Sequence, residues 1–257
     1  MTTLSDKEIE KEFGYGRLIT NPSIEMLDGS SYELRLGNVY YDLTENGRRF
    51  ELKPDEKALL KPGHRVVLIT AEELDTPADV AVRVVSKGSL FAVGLSPVAT
   101  YADPGFKGNL GIVTQNISDK YVELPQGEPI AKADFNKLTS NAERLYKGQH
   151  GFQMGIWPIK TQLQKTHAEV ADDPRVKSEK QEAFALLPQA TRTVIRRMEL
   201  TQLWTNIGLV IAIILNALAI FLVNKQVIEG LTGIIASLVV TAIISLGSLL
   251  INYMGRN

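Results

Sequence analysis

Residues 80–116 read VAVRVVSKGSLFAVGLSPVATYADPGFKGNLGIVTQN. Three β-type runs, VAVRVVS, GLSPVATYA and GNLGIVTQN, are separated by SKGS and DPG, where Gly, Pro, Ser and Asp supply the backbone conformations that a reversal needs. The same alternation extends outward in both directions. Upstream lie SSYELRLGNVYYDL and HRVVLIT, with DGS, ENG and KPG at the breaks; downstream, EPIAKADF follows PQG. Many short strands with no amphipathic helix between them predict a mainly β barrel or jelly roll for about residues 30–138. Ahead of it, LSDKEIEKEFG sets Glu8 three residues after Ser5, the pattern of a capping box, and predicts one helix.

The composition narrows the function. The 257 residues carry a formal net charge of -1, so no concentrated positive face is advertised and a DNA or RNA duplex is not an expected partner. There is no cysteine, and His64, His150 and His167 stand in no zinc-binding pattern. Zinc is therefore not expected, and any deaminase chemistry would be metal-free. The opening MTTLSDKEIEKEFG is charged and lacks an apolar run, so no cleavable signal peptide is expected.

Beyond residue 157 the character changes. Residues 158–190 are polar and charged and read as a linker or a solvated helix, and residues 191–257 carry two charge-free runs, at about 203–223 and 230–251. Each is long enough to cross a hydrocarbon core of about 30 Å as a helix. The short connector NKQVIE makes the pair an antiparallel transmembrane hairpin. Arg192, Arg196, Arg197 and Arg256 outnumber Lys225 in the connector, which places the soluble domain and both termini in the cytoplasm of a bacterial inner membrane. On the second run Gly233, Ser237, Thr241 and Ser245 recur every four residues, a stripe that suits close helix contact either within the hairpin or between copies. Helical propensity resumes near Thr191 and is expected to run into the first span.

Several separated pieces, SSYELRLGN, SKGSLFAVGL with ADPGFKGNLGIV, and LYKGQHGFQMG, together with PQGEPIAKADF, resemble in order and spacing the dCTP deaminase branch of the trimeric dUTPase-like family. The resemblance covers about residues 18–155. It implies a dUTPase-like β barrel in residues 1–157, a homotrimer, and deoxynucleotide sites between neighbouring chains. On this reading Ser86, Lys87, Gly88 and Ser89 form a phosphate cradle of backbone N–H groups, hydroxyls and one cation. Asp103 accepts from a sugar hydroxyl or orients water, and Phe106 offers a face to the deoxyribose. Tyr146, Lys147 and Gln153 stand where the family holds the triphosphate, and Mg²⁺ carried with a nucleotide phosphate is the implied cofactor. Taken without the family, SKGS and DPG are also ordinary polar turns.

The resemblance fails at the chemistry. Metal-free deamination needs a general base to activate water and groups to hold the tetrahedral centre. The family supplies a Ser, an Arg and a Glu; the matching positions here are Gly88, Ala92 and Val113. The base-reading segment VGLSPVATYA is also about two residues shorter than the family pattern. The expectation is therefore a membrane-anchored, deaminase-inactive nucleotide sensor, an antiviral effector that perturbs the lipid bilayer when a nucleotide binds or is lost. Two alternatives stand beside it: an active membrane-tethered dCTP deaminase or dUTP pyrophosphatase using Asp103, and a trimeric membrane-assembly protein that binds nothing.

Overall fold

The computed structural model describes residues 2–148, 161–225 and 230–233, with the single positions 235, 238, 239, 242 and 247. It divides into two units, Met1–Thr161 and Gln162–Asn257. Most of the expected second span, and Gln153, lie outside the described residues.

The first unit is mainly β. Its strands are β1 (Thr2–Thr3), β2 (Leu18–Thr20), β3 (Leu27–Asp28), β4 (Ser31–Asp42), β5 (Arg48–Glu51), β6 (Lys57–Leu60), β7 (Arg65–Asp75), β8 (Val80–Ser86), β9 (Ala99–Ala102), β10 (Lys107–Gln115), β11 (Val122–Pro125) and β12 (Pro129–Lys137). Ten of them form one antiparallel sheet along the path β10-β7-β4-β12-β8-β9, with β1, β2, β3 and β5 on its flanks; β11 and β6 pair separately. Helix α1 (Asp6–Gly14) precedes the sheet, with the Glu8 carboxylate accepting from the Ser5 N–H at 3.0 Å and Ile9 fully buried.

β4 explains how one sheet curls into two faces around one core. Its first residues pair with β12 and its last with β7 and β5, and the register shifts between Leu36 and Tyr40. The bend falls at Gly37, where an added Cβ would lie 3.1 Å from the Ile69 carbonyl oxygen. Beside it, the Glu72 side chain is only 2% exposed and accepts from the Arg35 backbone N–H at 2.7 Å and from Nε at 2.6 Å. That hydrogen bond raises the Arg35 guanidinium above its already high ordinary pKa. The RLGN piece is thus a strand corner with its buried charge paired, as interior charges require. Leu34, Leu68, Val82, Val84, Ile112, Ala133 and Phe135 fill the core that this corner encloses.

The expected hairpin turn at SKGS is instead the entry to helix α2 (Gly88–Ala92). The Lys87 carbonyl accepts from the Leu90 and Phe91 N–H groups, and Leu90 turns inward as the anchor. Of the expected strand GLSPVATYA only β9 joins the sheet. Residues 94–97 are instead tied to the end of β10: Ser96 N–H donates to the Gln115 carbonyl at 2.7 Å, and Ser96 Oγ accepts from the Gln115 N–H at 2.9 Å.

In the second unit, α3 (His167–Val170) and α4 (Glu179–Leu186) lie within the polar segment, and α5 (Gln189–Asn224) is the helix expected to run from near Thr191 into the first span. Lys180 of α4 pairs with Glu199 of α5 at 2.7 Å. α5 is 36 residues long and, among the described residues, the one helix long and apolar enough to cross a membrane.

Candidate functional site

The matched motifs occupy two separate places in one chain. Ser86 closes β8, and Lys87, Gly88 and Ser89 follow into α2. Asp103 and Phe106 form the turn between β9 and β10, at the other end of the β8–β9 ladder, where Val82 faces Ala102. Four residues of strand separate Ser86 from Val82, about 13 Å at roughly 3.3 Å per residue. The SKGS turn and the DPG turn therefore stand at opposite ends of the β8–β9 ladder within the subunit.

At the first place two of the expected phosphate ligands are already engaged. Ser86 Oγ accepts from the Val98 N–H and lies 3.3 Å from the Val98 carbonyl, so the hydroxyl fastens the chain leaving α2. Lys87 Nζ lies 2.8 Å from Glu33 Oε2. Ser89 is exposed. At Gly88 an added Cβ would meet nothing within 4 Å, so packing does not account for a glycine there.

The second place gathers the DPG turn and the arm that follows β12. Gly105 N–H donates to the Thr76 carbonyl at 2.8 Å, and Tyr146 N–H donates to the Pro104 carbonyl at 2.8 Å. Gly105 has φ +85°, and a Cβ on it would come within 3.0 Å of Leu145 Cβ, so glycine admits the arm. Asp103 and Lys147 are both exposed here. Phe106 departs from expectation: it is 3% exposed and its ring packs 5.3 Å from that of Tyr146, so the face assigned to a sugar is covered by the arm.

The three positions matched to the deaminase chemistry lie on the surface. Val113 is 47% exposed on β10, and Ala92 is exposed at the end of α2. Phe91, Val93 and Ile117 are exposed nearby, and Ile117 N–H donates to the Gly94 carbonyl. Thr114 is buried and bonded to Ser96, its Oγ1 donating to the Ser96 carbonyl at 3.0 Å. The region carries hydroxyls and apolar groups, with no acid or base at the matched positions.

One titratable cluster escaped the sequence reading because one member, His64, lies 22 residues from Asp42 in the chain. Asp42, Glu45 and His64 place their ligand atoms within 4.8 Å of one another. The nearly buried Asp42 accepts from the Thr44 and Glu45 N–H groups and lies 2.7 Å from His64 Nδ1, while Glu45 pairs with Lys61. Each carboxylate has its hydrogen-bond partners within the chain.

A family model described as dCTP deaminase-like matches residues 3–138. The chain is 34% identical over 160 residues to a dUMP-forming dCTP deaminase of Beutenbergia cavernae, covering 56% of this chain and 83% of that one. It is 32% identical over 168 residues to the corresponding enzyme of Dictyoglomus thermophilum, covering 58% and 87%. Among solved structures, a dCTP deaminase from Agrobacterium tumefaciens aligns with a TM-score of 0.46 at 18% identity, over 53% of this chain and 48% of that one.

Proposed function

The chain belongs to the dCTP deaminase-like family, and from that membership we propose that its N-terminal unit binds a nucleotide without deaminating it and that α5 anchors the chain in a membrane. The observation that carries this reading is the identity of positions 88, 92 and 113. Gly, Ala and Val stand there, none with a side chain able to exchange a proton or hold an oxyanion. Removing one general acid or base typically costs a factor of about 10² to 10⁴, and here the set is missing together. Thr114, the nearest hydroxyl on β10, is buried and committed to Ser96.

Two further parts complete the proposal. The site is shared between copies in a homotrimer, which the separation of the Ser86–Ser89 turn from the DPG turn along β8–β9 supports. The output is a two-span hairpin in a bacterial inner membrane, its packing shifted when ligand favours one state, as in an antiviral effector; the length and apolar character of α5 support the first span. Mg²⁺ accompanies the nucleotide phosphate.

A second reading rests on Asp103, whose exposed carboxylate could orient water in a pyrophosphatase. The deciding experiment uses the full chain in detergent with dCTP or dUTP and Mg²⁺, following melting temperature and product together. Stabilisation without product is the expected result; a ligand at a hundred times its dissociation constant adds roughly 2.7 kcal/mol to the folded state. Formation of a uracil nucleotide from dCTP overturns the proposal. Release of pyrophosphate from dUTP, lost in Asp103→Ala, establishes the second reading in its place.

A further inference from the structure

The turns of α5 that precede its apolar run carry Arg192, Arg196 and Arg197. None of them forms an ion pair among the described residues, and the Nε of the half-buried Arg192 has no hydrogen-bond acceptor there. Other cations of the same unit are paired: Lys165 with Glu169 at 3.7 Å, Arg175 with Asp173 at 2.6 Å. Glu199, the one acidic residue of α5, is taken by Lys180 at 2.7 Å. Arg192 and Arg196 share a helix face, as residues four apart do. Val194 and Met198, also four apart, stand about 200° around the axis from Arg196 and are 55% and 65% exposed. These turns thus present a basic face and, across the helix from it, an apolar one.

The charge-free run at 203–223 matches a hydrocarbon core of about 30 Å at a rise of about 1.5 Å per residue. Arg196 and Arg197 then stand about 10 Å before its edge, beside the headgroup layer, where long basic side chains extend along the polar surface. A basic face backed by an apolar one is the form of a helical segment held at a membrane surface. Unpaired guanidiniums at that depth call for anions, and their planar forks match phosphate oxygens two at a time. We propose that Arg192, Arg196 and Arg197 bind the phosphodiester headgroups of anionic phospholipids. The proposal rests on the reading of α5 as a membrane anchor and adds a ligand to it: attachment depends on headgroup charge as well as on the length of the apolar run.

Trp204, 59% exposed and two turns beyond Arg197 on the same face, is a reporter for the test. The full chain with Trp157→Phe, which leaves Trp204 as its one tryptophan, is reconstituted in phosphatidylcholine vesicles. Acyl-brominated phosphatidylcholine or phosphatidylglycerol is included at the same fraction, and quenching of Trp204 gives their relative association with the helix. The expected result is a preference for phosphatidylglycerol of at least about fivefold, reduced by added sodium chloride. Arg192→Gln, Arg196→Gln and Arg197→Gln together should bring the ratio to about one, since glutamine keeps helix propensity and removes the charge. Equal quenching by the two lipids in the wild type, or a preference that the glutamine variant retains, overturns the proposal and leaves the anchor standing. Inorganic phosphate that abolishes the preference, where chloride of the same ionic strength does not, assigns the surface to a free anion and also overturns it. If neither brominated lipid quenches Trp204, α5 does not enter the bilayer, and the anchor reading fails together with this inference.

Discussion

Gly88 and Gly94 sit six residues apart in one motif and are glycine for opposite reasons. At Gly94 φ is +100°, and an added Cβ would lie 2.5 Å from Ser118 Cβ, so the backbone and its neighbour both demand the missing side chain. At Gly88 nothing lies within 4 Å, and at Val113 nearly half the side chain is exposed. Gly88→Ser and Val113→Glu should therefore each change stability by no more than about 0.5 kcal/mol, as surface substitutions usually do. Gly94→Ala should cost about 1–3 kcal/mol, through overpacking added to a strained φ. Urea denaturation of the three variants checks this; a large loss on Gly88→Ser would mean that packing, not chemistry, fixed that residue. At this scale the sequence reading could name Ser86 and Lys87 but not their commitments. The partners, Val98 and Glu33, lie 12 and 54 residues away, and only the sheet brings them close.

At the scale of elements, legibility followed pairing. VAVRVVS is β8 to the residue, and EPIAKADF is β12, because each lies in a regular antiparallel ladder where apolar residues alternate or run continuously. VGLSPVATYA misled because its first half is held by Ser96 and Gly94 against β10 rather than by a ladder, and a pattern of residue types does not distinguish these. SKGSLFA misled because one buried residue, Leu90, is enough to anchor a single helical turn. β12 is an interior strand of the sheet, paired with β4 on one side and β8 on the other, with Phe135 fully buried. Phe135→Ala should lower stability by about 3–5 kcal/mol, the cost of a large cavity in a core that cannot collapse around it. A loss below about 1 kcal/mol would show that the two sheet faces close onto each other without it. By contrast, the exposed Lys180–Glu199 pair between α4 and α5 is worth at most about 1 kcal/mol.

For the whole molecule the question is whether one chain or two make the site. Four residues of ladder lie between the Ser86–Ser89 turn and the DPG turn, a span that allows two arrangements, one along a single subunit and one across two. The proposed homotrimer answers in favour of two, and mixing decides it. Lys87→Ala disables the first place and Asp103→Ala the second, each on every site of its own homotrimer. When the two variants are unfolded together in equal amounts and reassembled, a ring closed by one repeated head-to-tail interface combines them at random. A shared site is intact only where the Asp103→Ala chain supplies Lys87 and the Lys87→Ala chain supplies Asp103, which random pairing gives at about one quarter of the interfaces. Nucleotide-binding capacity in the mixture should therefore return to about a quarter of the wild-type value, with wild-type affinity at those sites. If each site lies within one chain, every site in the mixture still carries one of the two substitutions, and no capacity returns. Recovery would fix the partner of each half-site as another copy of the same chain, so that ligand occupancy and assembly of the copies become linked equilibria, each ligand bound adding its free energy to the assembled form.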